Sequence, residues 1–291
     1  MTANIPLVSV LMTSYNREKY IGNAIESVLK STFTNFELIV VDDGSKDKTV
    51  EIAKQFAAKD PRVKVYINVK NLGDYPNRNK AASYATGKYL KYVDSDDFIY
   101  STGLQVLVSM MENNPSADWG LCTIKPNFKQ PFPILLQPKE IFEYHYLGAG
   151  LFYNGPLSSI IKKSAFDAVG GFKEYRMVGD FEMWHRLAIN YNVLLMPQGV
   201  VWYREHNEQE INSIKKYWLD YDSITKHYIT HPKSPFTNTQ KINLIKKNRL
   251  KNLRSVVTLT LKGQFQTAKN RLAGARIFSN DLHTPLAEKI N

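Results

Sequence analysis

The stretch VSVLMTSYNREKYIGNAIESVLKSTFTNFELIVVDDGSKDKT, Val8 to Thr49, decides the architecture of this chain. The apolar run Leu7–Met12 gives way to the polar cluster TSYNR, which predicts a buried strand with a polar exit. In EKYIGNAIESVLKS, residues Tyr20, Ile21, Ala24, Ile25, Val28 and Leu29 recur at helical spacing and make one apolar stripe. FELIVV (Phe36–Val41) predicts a second buried strand, stopped by Asp42-Asp43-Gly44-Ser45. The alternation then continues. Val50, Ala53, Phe56 and Ala57 mark a second helix, VKVYIN a third strand, Asn77–Ala85 a third helix and KYLKYV a fourth strand. This order is that of an open parallel sheet with helices on its faces. Ligands of such sheets bind outside the carboxyl ends of the strands. Three of the four predicted strands end in polar clusters there: TSYNR, DDGS and DSDD.

Further along, Ser101–Asn113 predicts a helix and ADWGLCTI a strand. Residues 125–150 carry Pro126, Pro131, Pro133 and Pro138 without a clear period and read as a long loop or lid. SSIIKKSAFDAVGGF predicts a strand and a short helix closed by glycine. DFEMWHRLAI predicts a helix with Phe181, Trp184, Leu187 and Ala188 on one side, and VLLMP and VVWYREH predict two more strands. Beyond His206 every apolar pattern is helical. The expected organisation is an α/β domain over 1–206 and a basic helical extension over 207–291.

Composition supports a packed globular chain, with 43% hydrophobic residues. The single cysteine, Cys122, allows no intrachain disulfide and fits a reducing compartment. The opening MTANIPLVSVLMTSYN lacks a charged leader region, and no later stretch reaches a membrane-spanning length free of charges. A cytoplasmic location is therefore expected, with peripheral contact at the inner face of the plasma membrane as an addition. The net charge of +11 is uneven: from Asn207 onward there are 15 Lys/Arg against 6 Asp/Glu, and before it 23 against 21. Such a basic tail is either a solvated appendage or a surface for an anionic partner. Leu244, Ile245, Leu250, Leu253, Val256 and Val257 share an apolar face beside Lys246, Lys247, Arg249, Lys251 and Arg254. Shallow contact with an anionic membrane and packing on the chain itself or a second subunit both account for it. No nucleic-acid recognition motif accompanies the charge, so nucleic acid is not expected as a partner.

Four constellations carry chemistry. In DSDD (94–97), Asp94 and Asp96 are hard oxygen ligands of the kind Mg2+ or Mn2+ shares with phosphates; an acidic turn is the alternative, with Asp97 as a helix cap. Asp42 and Asp43 can accept from a base or ribose, or merely shape the turn into the next helix. Asp180 opens an apolar-striped helix, either as an N-cap or as a general base. His206, in WYREH, is the one histidine in a suggestive context; the other five lack ligand spacing, which argues against zinc.

In this order and spacing, the motifs resemble family-2 glycosyltransferases. The segments are Val8–Thr49, then NLGDYPNRNKAASYATGKYLKYVDSDD, then VGGFKEYRMVGDFEMWHRLA, then VVWYREH. The resemblance covers residues 5–206. It implies the GT-A fold, a Rossmann-like, mixed but mainly parallel sheet flanked by helices, with a nucleotide-sugar half (about 1–100) and an acceptor half (about 101–206). It implies that Thr13, Tyr15, Asp42, Asp43, Arg78 and Asp94 line a nucleotide pocket. Asp96 and His206 then serve a Mn2+ or Mg2+ ion, and Asp180 is the catalytic base. The implied reaction is inverting transfer from a UDP-sugar to a glycan or lipid-linked acceptor in polysaccharide synthesis. The runner-up is an inactive sugar-nucleotide or membrane-binding module. The family's usual Glu-Asp pair is here Gly179-Asp180, which hands any acceptor contact to Glu182 or to neighbours such as Trp184. Asp74-Tyr75-Pro76 stands where a loop of smaller residues is usual, and its side chains, Asp74 first, are placed to select the donor sugar. A nucleotidyltransferase would need a Gly-rich basic loop, and a dehydrogenase GxGxxG, where TSYNREKY stands.

Overall fold

The computed structural model describes residues 5–125, 130–148, 150–206 and 210–279. The chain divides into two compact units. The first comprises Met1–Ile141 with Leu151–Glu205, and the second Phe142–Gly150 with His206–Asn291.

The first unit opens with β1 (Val8–Ser14), α1 (Ile21–Leu29), β2 (Phe36–Asp42), α2 (Thr49–Ala57), β3 (Val63–Ile67), α3 (Asp74–Ser83) and β4 (Tyr89–Tyr92). It continues through β5 (Phe98–Ile99), α4 (Gly103–Glu112), β6 (Trp119–Ile124), β7 (Ile134–Leu136) and α5 (Pro138–Tyr146), whose last turns join the second unit. After these come β8 (Ser159–Lys162), α6 (Lys163–Ala168), α7 (Gly179–Ala188), β9 (Val193–Pro197) and β10 (Val201–Trp202). The eight-stranded sheet runs β3-β2-β1-β4-β8-β6-β9-β7. Its first four strands are mutually parallel, β8 is antiparallel to both neighbours, and β6 and β9 are again parallel. This is a mixed, mainly parallel sheet flanked by helices. Val8, Val10, Met12, Leu38 and Val40 point from β1 and β2 into a core with Ile21, Ile25 and Val28 of α1 and Leu104 and Leu107 of α4.

Among the described residues, 130–148 hold more regular structure than their prolines suggest. Pro131 and Pro133 precede β7, which pairs antiparallel with β9, and Pro138 opens α5. Proline is tolerated there because the first-turn N–H groups of a helix have no partner within it. Pro126 lies outside the described residues.

Buried Lys91, in the middle of β4, is the oddity of the core. Its ammonium donates to the backbone carbonyls of Leu157 and Ser159, at the seam where the parallel strands meet antiparallel β8. Burial pushes its pKa down, and carbonyl acceptors satisfy the charge locally.

In the second unit, a short 3-10 segment (Glu210–Tyr217) leads into α8 (Trp218–Thr230), α9 (Asn238–Leu261) and α10 (Phe265–Ile277). A capping box between Thr237 and Gln240 starts α9. Asn252, buried on α9, links Asp222 of α8 to Arg271 of α10, and the Arg271 guanidinium stacks 3.4 Å over the Trp218 ring. Leu244 and Ile245 are buried, whereas Leu250, Leu253 and Val257 are exposed, so the apolar stripe of α9 has two fates. No helix among the described residues is long and apolar enough to cross a membrane.

Candidate active site

The carboxyl ends of β1, β2 and β4 carry the candidate residues, and hydrogen bonds between their loops fix them. Asn16, in the left-handed region at φ 52°, turns the chain after β1; its N–H donates to Ser45 Oγ (2.8 Å), and its Oδ1 accepts from Lys46 N (2.9 Å). Thr13 is half-buried in β1 beside Val41, and Tyr15 is exposed just past the strand end. Asp42 is saturated by its own turn. Its Oδ1 accepts from Gly44 N and Ser45 N, and its Oδ2 from the hydroxyls of Ser14 and Ser45. Asp43 instead reaches across to the next connection, accepting from Asn68 Nδ2 (2.8 Å), Leu72 N (2.8 Å) and Gly73 N (2.9 Å). That grip sets Gly73, at φ 87°, to launch α3.

Helix α3 starts three residues before the sequence expectation, because Asp74-Tyr75-Pro76 forms its first turn rather than a loop. Asp74 and Arg78 are then one turn apart and bond, Nε to Oδ1, at 2.8 Å. Arg78 is 7% exposed and lies over the Tyr92 ring. Its Nη1 and Nη2 engage both oxygens of Asp94, at 2.6 and 3.0 Å. Burial alone would lower its pKa, but Asp74 and Asp94 hold it well above the usual value.

The other members of DSDD have different partners. Asp96 accepts from Arg17 Nε at 2.9 Å. Asp97 does not cap a helix. It is buried, and its Oδ1 accepts from Arg204 N (2.9 Å), while Arg204 Nε donates to the Asp96 carbonyl (2.8 Å). The β5–β10 pairing places the WYREH segment for these contacts. Burial, then the charge of Asp94, raises the Asp97 pKa to about 8. His206 is half-buried at the first residue of the second unit. Among the described residues, no three His, Cys, Asp or Glu side chains converge as a metal site. The donor chemistry of the turn still fits a hard cation: three carboxylates lie within four residues, and Asp96 already balances its charge against a cationic side chain.

Asp180 lies in the first turn of α7, three residues after the peptide turns through Met177 at φ 67°. A non-glycine residue in that region stores backbone strain. Asp180 Oδ1 accepts from Phe181 N at 2.6 Å. Burial raises its pKa to about 7, against the lowering effects of Phe181 N–H, the Tyr75 hydroxyl and Arg78. The two departures noted in the sequence meet at this point. A Cβ on Gly179 would stand 2.7 Å from ring carbons of Tyr75, so the glycine admits the tyrosine. The ring is buried against Phe172, with centroids 5.3 Å apart.

Glu182 and Trp184 correct the sequence expectation. Glu182 is buried in a bidentate pair with Arg186 (2.8 and 2.9 Å) and a bridge to Lys173 (3.2 Å), and Arg186 in turn donates to the Gly171 carbonyl. A residue two positions along a helix points to its far side, so Glu182 braces the Gly170-Gly171 turn rather than facing an acceptor. Trp184 is fully buried, stacked on Trp119 at 5.4 Å, with Nε1 donating to the Asn154 carbonyl. The structure thus brings Asp74, Arg78, Asp94 and Asp180 into one electrostatic neighbourhood. Arg17, Tyr75 and Arg204 join the site without having been singled out for it. Only Tyr75, as an oddity of its segment, left a signal in the sequence.

Comparison with known proteins points in one direction. The family model described as glycosyl transferase family 2 matches residues 9–187. An uncharacterized glycosyltransferase of Methanocaldococcus jannaschii, MJ1057, is 32% identical over 237 residues, 77% of this chain and 80% of that protein. The UDP-Glc:alpha-D-GlcNAc-diphosphoundecaprenol beta-1,3-glucosyltransferase WfgD of Escherichia coli is 42% identical over 115 residues, 39% of this chain and 45% of that one. The match to an uncharacterized glycosyltransferase of Haemophilus influenzae spans about half of that relative, 51%, and 43% of this chain, at 37% identity. Among solved structures, S. aureus TarS 1-349 in complex with UDP-GlcNAc superimposes with a TM-score of 0.66 at 21% identity, over 93% of this chain and 82% of TarS 1-349. The mannosyltransferase PcManGT of Pyrobaculum calidifontis, in complex with GDP-Man and Mn2+, gives 0.62 at 16% identity, over 96% and 77%. At these identities the two structures speak for the shared fold.

Proposed function

This chain belongs to glycosyl transferase family 2, and on that premise we propose that it is an inverting transferase moving a sugar from a nucleoside diphosphate to an acceptor hydroxyl. UDP is the favoured nucleotide, since TarS is in complex with UDP-GlcNAc and WfgD is named for UDP-Glc. The acceptor of this reading is a lipid-linked or other glycan in cell-surface polysaccharide synthesis; the diphosphoundecaprenol in the name of WfgD supports the lipid-linked class. A cytoplasmic site of action fits this chemistry.

The observation that carries the reading is the placement of Asp180: it sits in the first turn of α7 with Oδ1 on Phe181 N (2.6 Å), near enough to Arg78 and Asp74 to feel their charges, and burial pushes its pKa up to about 7. A group of that pKa can take a proton from a hydroxyl at neutral pH. In the reaction, the acceptor O–H proton passes to Asp180 while the acceptor oxygen bonds to the anomeric carbon. The bond from that carbon to the diphosphate breaks with its electron pair leaving on the nucleoside diphosphate. A single displacement inverts the centre and needs no protein nucleophile. The nucleotide pocket of this reading is lined by Thr13, Tyr15, Asp43, Arg78 and Asp94, with Asp42 shaping its turn. Asp74, tied to Arg78, lies on the donor side. A divalent ion, Mn2+ or Mg2+, would be held by Asp96 with Asp94, and would neutralise charge on the departing diphosphate. Asp180→Asn is expected to lower transfer about 10²- to 10⁴-fold while donor affinity holds. The wild-type rate should rise with pH through about 7, as Asp180 loses its proton. Near-normal turnover in Asp180→Asn would sink the base assignment, and absence of transfer across a nucleotide-sugar panel would favour an inactive binding module.

For the second unit we propose peripheral contact with an anionic membrane. Leu250, Leu253, Val257 and Leu261 form an exposed stripe at i, i+3, i+7 and i+11 along α9, flanked by exposed Lys246, Arg249 and Arg254. Flotation with vesicles containing anionic lipid should carry the protein upward, less so at high salt. No flotation, with a concentration-dependent dimer by light scattering, would assign the stripe to a second copy instead.

A further inference from the structure

We propose that Tyr75 is a positioning residue for Asp180, and that Gly179 exists to admit it. The inference rests on the reading of Asp180 as the base.

The geometry begins with a missing side chain. A Cβ at Gly179 would lie 2.7 Å from both Cδ2 and Cε2 of Tyr75 and 2.9 Å from Cγ. Any other residue there would have to push the ring away, and the ring has little room, being 5% exposed and packed on Phe172. Phe172 also meets Tyr92 edge-on at 5.6 Å, which fixes the floor on which Tyr75 rests. The next residue after the glycine is Asp180. With the ring seated on Gly179, the Tyr75 hydroxyl comes close to Asp180, where it acts on the carboxyl as a donor and pulls its pKa down against burial. Burial, then the charges of Asp180 and Asp74, keep the phenol well above its usual pKa, so it remains a proton donor throughout the working range.

A base on the first turn of a helix has freedom at χ1 and χ2. Oδ1 is held by Phe181 N–H. A second donor from another element removes the remaining rotation, and holding a reacting group in one geometry is worth orders of magnitude in rate. Tyr75 comes from α3, the helix that also carries Asp74 and Arg78. One helix therefore orients the base and grips Asp94.

Tyr75→Phe keeps the ring on the glycine and removes only the hydroxyl. It is expected to lower kcat about 10- to 100-fold with the donor KM within twofold. The midpoint of the pH-rate profile should move upward, because a hydrogen bond favouring the ionised carboxyl is lost. Asp74, Arg78 and Phe181 N–H, the other groups acting on Asp180, remain in the variant, so the displacement reports the hydroxyl. Gly179→Ala tests the seat: it should impair the wild-type chain and cost little more in a Tyr75→Ala background. If Asp180→Asn is dead while Tyr75→Phe keeps both kcat and the pH midpoint, Tyr75 is only packing and the inference is overturned. If Asp180→Asn remains active, the base assignment fails and the inference falls with it. If Tyr75→Phe melts far below wild type, the comparison moves to Tyr75→Trp and Tyr75→His; an unshifted pH midpoint in whichever of them folds would overturn it equally.

Discussion

The two ends of the parallel strands both bury carboxylates, and they treat them in opposite ways. At the amino ends, Glu37 accepts from Ser9 Oγ (2.6 Å), Thr86 N and Oγ1 (2.8 Å each) and Lys64 Nζ (2.7 Å). Burial pushes its pKa up, but Lys64, Ser9 and Thr86 outweigh that and hold it below the usual range. Gly87 permits the closeness, since a Cβ there would meet Ser9 N at 2.6 Å. At the carboxyl ends, buried Asp97 and half-buried Asp180 have fewer donors than Glu37, and desolvation raises them to about 8 and about 7. A carboxylate surrounded by donors fastens a fold. One left short of donors can bind a cation or a proton, which is the property a catalytic centre requires.

That contrast can be broken or sharpened by experiment. The largest effect is expected at Asp96. Chelation, or Asp96→Asn, should each reduce transfer by about 10²-fold or more, with Mn2+ or Mg2+ restoring the chelated wild type but not the variant. Full activity in chelator would leave Asp96 as an ion-pair partner of Arg17 and dissolve the distinction between the two ends. Next comes Glu37→Ala, expected to lower stability by about 1–3 kcal/mol in denaturant melts while turnover per folded molecule is unchanged. Its depressed pKa means that the wild-type advantage is present above the unfolded carboxylate value and lost as pH falls through the folded one. Loss of turnover without loss of stability would contradict a structural role. The smallest effect belongs to Asp97→Asn, melted in chelator. Asparagine keeps an acceptor for Arg204 N but carries no charge. The wild type, with its raised pKa, should lose ground to the variant as pH climbs from about 4 to about 8, by a few degrees in Tm.

The sequence was most informative where chemistry is local. Apolar runs ending in TSYNR, DDGS and DSDD located the strand ends, because a buried strand must stop where polar groups need water or a ligand. It was silent where partners lie far apart along the chain. Arg17 meets Asp96, and Tyr75 meets Gly179, only through the stacking of neighbouring strands and helices. At α7 the periodicity read Trp184 correctly as apolar, and it was the acceptor-side role implied by the resemblance that gave way, since packing takes Trp184 into the core and helical geometry turns Glu182 to the rear. Pro131, Pro133 and Pro138 hid β7 and α5, since they fall before the strand and at the helix start, where their missing N–H costs nothing.

The ammonium of Lys91 has a mechanical consequence. It clamps β4 to the backbone around β8 at the line where the parallel strands meet the antiparallel one. A hinge at that line would have to strip a buried cation of its carbonyls, so bending of the sheet there is disfavoured. Whatever accommodation substrates demand then falls to the loops above the sheet, and it is their length and composition, rather than any jaw-like opening, through which such a scaffold changes what it admits.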